Sequence, residues 1–355
     1  MDGRVVDADG HVLEDNLLLD YFNSSCLGKN FRLSFDRMFP SLDFHHTGGF
    51  TTRNSTAFGG GKPVGPNEWV EFIEHANLEA AVLYPTKGLR IGNISHPDWA
   101  CLVARAYNDW LHDQYLKKSP KLKGMALIPI QDVSEAVTEL RRAVTKLGMV
   151  GVMLPSRGNL PLDLGHKTYW PIYEEAERLG CAVGVHGGCH HGMGLDTFET
   201  FVPIHALGHP LSLIIAFTGI VYHGVLDRFP KLRVGFLEGG AGWVTFWIDR
   251  MDRSHDYFVE MNLLGKYQGP APSQKPSDYL KSERVFIGCE GNEEGLAYQI
   301  QRAGNGRFLF ASDFPHEIGP DDIMHEIQEI RECPGLDEKD ISAILGGNAK
   351  SFYQI

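Results

Sequence analysis

The chain has 355 residues, of which 43% are hydrophobic and 22% charged, the balance of a folded globular protein rather than a disordered, collagenous or small disulfide-stapled one. Lys and Arg number 33 against 45 Asp and Glu, a net charge of −12 with no basic run, so neither nucleic acid nor an anionic membrane is expected as a partner. Six widely spaced cysteines without Cys-x-x-Cys, an N-terminus unlike a signal peptide, and a most apolar stretch (Pro210 to Tyr222) of only 13 residues suggest a cytoplasmic protein with reduced thiols and no membrane-spanning helix.

Short apolar, β-branched runs alternate with helical patterns along the whole chain. Strands are expected at Arg4–Ala8, Ala80–Tyr84, Gly124–Pro129, Val150–Pro155, Cys181–His186, Leu232–Leu237, Arg284–Gly288 and Arg307–Ala311. Helices are expected near Glu68–Ala76, Pro97–Lys117, Val133–Leu147, Lys167–Leu179, Leu207–Leu226, Trp243–Met261, Glu293–Ala303 and Asp322–Arg331. Eight strands interleaved with helices predict the α/β class and a (β/α)8 TIM barrel, one domain over residues 1–355. A doubly wound sheet fits less well, because no strand is followed by G-x-G-x-x-G, and Gly59-Gly60-Gly61-Lys62 continues into Pro63 rather than the Ser or Thr of a phosphate-binding loop.

Surplus length sits after the first strand, about residues 27–67. This Gly-, Ser- and Phe-rich insertion is expected to act as a lid or as the contact of a homo-oligomer, most simply a dimer, with Phe44, Phe50, Phe58 and Trp69 each available either to cover an apolar substrate or to join the core. A second insertion, Gly265–Pro276, reads as plain loop.

In such barrels the active site is built where the strands end. Strand 1 leads into Asp7-Ala8-Asp9-Gly10-His11, and strand alternation points Asp9 and His11 to one side. Strand 5 ends at His186, strand 6 at Glu238 and strand 8 at Asp313. A lone His or Asp at a strand end is usually a satisfied polar group. An Asp-x-His pair, a His and an Asp at three strand ends together form a nitrogen and oxygen ligand set for one or two divalent ions such as Zn, Mn or Fe.

The sequence resembles the amidohydrolase superfamily, and within it the branch containing aminocarboxymuconate semialdehyde decarboxylase and the resorcylate-type decarboxylases. The resemblance rests on Val6-Asp7-Ala8-Asp9-Gly10-His11, Val185-His186-Gly187-Gly188, the Gly224–Arg233 turn, Ala311-Ser312-Asp313-Phe314-Pro315-His316 and Gly347-Asn348-Ala349. It implies that Asp9, His11, His186 and Asp313 occupy metal-site positions, with Asp313 also moving protons. Glu238 stands where the family commonly has histidine, and Asp9 opens a motif that often reads His-x-His.

Three readings follow. The first is a metal-dependent hydrolase, in which metal-bound water yields its proton to Asp313 and attacks a substrate carbonyl, with Asp313 and His186 as catalytic groups. The alternative is a non-oxidative decarboxylase of an aromatic or muconate-type carboxylate, Asp313 giving a proton to carbon. A non-catalytic barrel that binds a ligand at its mouth is the third. Asp9, Glu238 and Asp313 bring three negative charges, and that count favours two ions with Glu238 a ligand. Further substrate contacts are expected from Lys87, Arg90, His191, His205, His209, Glu290 and His316, with the two cations suited to a small carboxylate-bearing substrate.

Overall fold

The computed structural model describes residues 5–22, 38–40, 64–260, 272–291, 293–316 and 318–355. Strands β1 (Val5–Val12), β2 (Leu78–Pro85), β3 (Leu122–Ala126), β4 (Gly151–Pro155), β5 (Ala182–His186), β6 (Arg233–Leu237), β7 (Val285–Cys289) and β8 (Phe308–Phe310) pair in parallel in sequence order. Helices α1 (Pro66–His75), α2 (Pro97–Leu111), α3 (Val133–Leu147), α4 (Trp170–Leu179), α5 (Phe201–Tyr222), α6 (Trp243–Glu260), α7 (Leu296–Ala303), α8 (Asp322–Glu332) and the terminal α9 (Asn348–Tyr353) follow them around the outside. The seam is drawn together beyond β8, where the Asp313 amide donates to Asp9 O (3.0 Å) and the His11 amide to Phe314 O (2.7 Å). This is the (β/α)8 barrel expected.

Local chemistry explains the boundaries. Helix α3 starts where Asp132 accepts from the amides of Ser134 and Glu135, and stops at Gly148, whose φ of 71° is the left-handed conformation that glycine adopts without strain. The expected helix over Leu207–Leu226 is two helices, α5 and Val225–Arg228, because Gly224 (φ 68°) breaks the chain between them. The expected helix over Pro97–Lys117 ends at Leu111 and continues as one π-turn, His112–Leu116. Strand β1 runs to Val12 instead of ending at Ala8, so Asp9 and His11 lie within the strand. Helix α5 contains 21 residues, Val202–Tyr222, long and apolar enough to cross a bilayer and longer than the 13-residue run recognised in the sequence. Here its Leu213, Ala216, Phe217, Ile220 and Val221 are buried within the hydrophobic core of the barrel.

The floor of the barrel is closed by α9. Phe352 packs on Phe286 with ring centroids 4.8 Å apart, Arg233 Nε donates to Phe352 O (2.9 Å), and Asn348 Nδ2 donates to the carbonyls of Asn305 and Phe308. Tyr353 reaches up the axis, its hydroxyl donating to Ala8 O (2.7 Å) and lying 2.9 Å from the Tyr84 hydroxyl. Burial pushes both phenols well above their usual range, so they remain neutral donors.

Of the insertion expected over residues 27–67, most of the segment, with Phe44, Phe50 and Phe58, lies outside the described residues. Met38 and Phe39 are buried, with Met38 O accepting from Trp99 Nε1 (3.0 Å). Trp69 does not cover a substrate: it is fully buried in α1, edge-on to Phe72 and Phe314, and donates to His11 O (3.0 Å).

Candidate metal centre at the barrel mouth

Two histidines are presented in the same way. His11 Nδ1 bonds the Pro85 carbonyl (2.9 Å) and His186 Nδ1 the Gly187 carbonyl (3.0 Å). A ring whose Nδ1 carries the proton turns the Nε2 lone pair inward, the usual preparation of an imidazole for a metal. Both Nε2 atoms face Asp9, at 3.7 Å from His11 and 3.2 Å from His186. Asp313 Oδ1 lies 3.1 Å from His11 Nε2 and 3.1 Å from His316 Nδ1. His316 in turn stacks on His11 (4.1 Å) and bonds Thr86 Oγ1 (2.7 Å). All of Asp9, His11 and His186 are buried.

Glu238 and Asp313, just beyond the ends of β6 and β8, have φ of 59° and 53°. Side chains other than glycine enter this left-handed region at a cost, and the neighbouring barrel holds them there with both carboxylates aimed at the imidazoles. Glu238 Oε2 stands 3.1 Å from His186 Nδ1 and 3.6 Å from His209 Nδ1. Burial and then the Asp313 charge push the Glu238 carboxyl up to about 8. Burial opposes charge on His186, but Asp9 and Glu238 outweigh it and raise the imidazole to about 9. Asp313 goes the other way against its burial, held well below the usual carboxylate range by His316 and His11. Burial and the surrounding His190, His205 and His186 keep His209 neutral.

The donor set fits a divalent cation. Buried His11 Nε2 and Glu238 Oε2 take part in no hydrogen bond although each faces groups of opposite polarity, and three carboxylates crowd one water-poor space. Ligand atoms of Asp9, His11 and His186 lie within 4.8 Å of one another, as do those of His11, Glu238, Asp313 and His316. Asp9, His11, His186, Glu238, Asp313 and His316, drawn from four strand ends, thus fall into two overlapping clusters, the second including His316, which the sequence placed among the substrate contacts.

The other expected contacts fall elsewhere. His191 is exposed, and His205 is exposed on α5 with its ring 5.6 Å from His209. Neither of them, nor Glu290, belongs to the two ligand clusters. Arg90 is buried, and its guanidinium donates to Pro40 O (3.3 Å), so it is not a solvated surface cation. Lys87 follows β2, and its amide is held by Glu14 (2.8 Å). The amide of Glu290 is held by Glu293 (3.1 Å).

Sequence reasoning gave no role to several residues that build the site. Asp7, fully buried, accepts from Ser312 N (3.0 Å), Ser312 Oγ (2.7 Å) and Asp9 N (3.3 Å), tying β1 to the turn that carries Asp313. Glu14 holds the amides of Lys87 and Gly88, and Glu293 those of Ala241 and Glu290, each fixing a mouth loop. Ser156, after β4, donates its amide to His186 O (2.9 Å) and its hydroxyl to Ser212, which donates to His209 O. Only the Asp7-x-Asp9 alternation, which sets both side chains on one side of β1, was available as a signal.

Fold and site together define a (β/α)8 barrel enzyme whose mouth is equipped for a divalent cation. The chain belongs to the amidohydrolase family, which it matches over residues 60–355. It is 25% identical over 290 residues to a 2-amino-3-carboxymuconate-6-semialdehyde decarboxylase from Dictyostelium discoideum, covering 81% of this chain and 76% of that protein. It is 26% identical over 264 residues to a gamma-resorcylate decarboxylase from a Polaromonas species, covering 71% and 76%. Among solved structures, a Polaromonas dihydroxybenzoic acid decarboxylase with bound manganese and 2-nitroresorcinol superposes with a TM-score of 0.71 at 20% identity, over 99% of this chain and 97% of that one. A manganese-bound 5-carboxyvanillate decarboxylase from Novosphingobium aromaticivorans gives 0.73 at 16% identity, over 99% and 96%.

Proposed function

We propose that the protein is a metal-dependent, non-oxidative decarboxylase of a small aromatic or muconate-type carboxylate. The observation that carries this reading is Asp313 held between His11 and His316 beside the Asp9, His11 and His186 cluster, in a chain whose relatives bear decarboxylase names. Asp9, His11, His186 and Asp313 would hold the ion. Once bound, it supplies positive charge for the substrate carboxylate and an adjacent oxygen. Asp313 delivers a proton to the carbon that bears the carboxylate, the C–C bond breaks, and carbon dioxide leaves with a C–H bond in its place. Because its neighbours keep Asp313 ionised, the proton reaches it through His316, whose Nδ1 is 3.1 Å away and whose Nε2 is fixed by Thr86. Tyr84 and Trp69 fill the space behind the ligands and help keep water out.

Hydrolysis by a two-ion site is the reading that the three carboxylates favour by charge alone. The decarboxylase names of its relatives favour the other reading. Turnover in deuterated water separates the two: decarboxylation places deuterium at a stable C–H position and releases carbon dioxide, whereas heavy oxygen from labelled water in the product would return the reading to hydrolysis. Glu238→Gln sharpens it. The variant is expected to keep full metal content and to lose turnover by roughly 10–100-fold, as for a group supporting a ligand; a halved metal content would restore the two-ion hydrolase.

A further inference from the structure

We propose that the buried phenol pair Tyr84–Tyr353 positions the metal centre from below: it clamps the irregular stretch of β1 that aims Asp9, so that Tyr353, on the floor helix α9, sets how tightly the ion is held. This rests on the reading of Asp9 as a ligand and adds residues that act through it.

Strand β1 loses its register where it carries the ligands. Asp7 stands opposite Ala81 and Gly10 opposite Leu83, so three steps along β1 match two along β2. The surplus residue is taken up at Ala8 and Asp9, a bulge of the kind that re-aims a side chain beside an active site. A bulge disrupts the ladder that would fix its backbone, and here the backbone is held from elsewhere in the chain. Asp9 N donates to Asp7 Oδ1 (3.3 Å), Asp9 O accepts from Asp313 N (3.0 Å), and Ala8 O accepts from the Tyr353 hydroxyl (2.7 Å). Trp69 packs where a β-carbon on Gly10 would stand, which closes the bulge from the side of α1.

The two phenols act as one unit. A hydroxyl has a single hydrogen, and Tyr353 gives its own to Ala8 O, so the 2.9 Å contact between the hydroxyls is a bond donated by Tyr84. Tyr84 is set in turn by the strands that carry the histidines. A β-carbon on Gly184 of β5, two residues before His186, would collide with its hydroxyl, and its ring lies 5.1 Å from that of His186. The carbonyl of the next residue, Pro85, holds His11 Nδ1. The pair thus joins backbone beside Asp9, His11 and His186 at one level of the barrel. Both side chains are buried, so removing either hydroxyl leaves a buried polar partner unsatisfied and frees the bulge to shift.

The test is titration of the metal-stripped full chain with Mn(II), read by calorimetry and by the electron paramagnetic resonance of the bound ion. Wild type is set beside Tyr353→Phe, Tyr84→Phe, Phe352→Leu and Asp9→Asn. Tyr353→Phe keeps the ring and its packing, and should weaken Mn(II) binding by about 10-fold and alter the spectrum of the bound ion, the scale of losing a group that orients a ligand. Tyr84→Phe should act in the same direction to a smaller extent, because the bond to Ala8 O survives. Phe352→Leu loosens the same helix without touching Ala8; it should lower the melting temperature at least as much and leave Mn(II) affinity and spectrum as in wild type. Wild-type affinity in Tyr353→Phe overturns the proposal, as does an equal loss of affinity in Phe352→Leu. Should Tyr353→Phe fail to fold, Tyr84→Phe decides, and wild-type affinity there overturns it. Asp9→Asn tests the underlying reading separately. If it binds Mn(II) as tightly as wild type, the assignment of Asp9 as a ligand falls; if it loses the ion while Tyr353→Phe does not, only the positioning role falls.

Discussion

The two ends of the barrel use buried polar groups in opposite ways. At the floor every one named is satisfied within the fold: Tyr353 by Ala8 O, Asn348 by two carbonyls, Arg233 by Phe352 O. At the mouth, carboxylates face imidazoles, His11 Nε2 and Glu238 Oε2 stay out of hydrogen bonds, and two residues are held at positive φ. Satisfied groups stabilise a fold and have nothing left to offer a ligand, whereas groups held unsatisfied by a rigid surround are ready to bind one. Between the two ends stands Asp7, whose three donors lock the seam on which the mouth depends.

The comparison breaks most visibly at the ligands. His11→Ala or His186→Ala should lose metal and activity together while the protein remains folded, read by elemental analysis beside circular dichroism. Asp313→Asn should cut turnover by at least ~100-fold with metal partly retained; near-normal turnover would remove its proton-transfer role. At the floor the signs exchange. Phe352→Ala should cost about 3–5 kcal/mol in denaturant unfolding, with turnover per folded molecule little changed. Asp7→Asn, at the junction, should cost about 1–3 kcal/mol and also lower turnover, since it frees the strand carrying Asp9 and the turn carrying Asp313.

The smallest effect is one of pH. Glu326 on α8 has Oε2 buried without a hydrogen bond, and burial followed by Glu290 and Asp7 pushes its carboxyl from 4.5 up to about 8. A raised acid binds its proton more tightly folded than unfolded, so its stabilising contribution is present below pH 4.5 and is lost as the pH climbs through about 8. Glu326→Gln should therefore raise the melting temperature at pH 9 relative to wild type and leave it nearly unchanged at pH 5. An equal shift at both values would show that Glu326 is ionised throughout.

The period of the apolar runs was enough to place eight strands and their helices, because a parallel strand buried on both faces must be short, apolar and followed by an amphipathic helix. Position at a strand end was likewise enough to single out Asp9, His11, His186, Glu238 and Asp313, since the mouth of such a barrel is made of those residues. The sequence did not carry their partners. Whether Glu238 meets a histidine and whether Trp69 is cover or core both depend on residues tens to hundreds of positions apart coming within a few ångströms. The same holds for Asp7, which reads as one more acid on a strand until the barrel closes and sets it against Ser312, 305 residues away. Local pattern determines where a side chain leaves the backbone; only closure of the barrel decides what it meets, and with that its charge and its work.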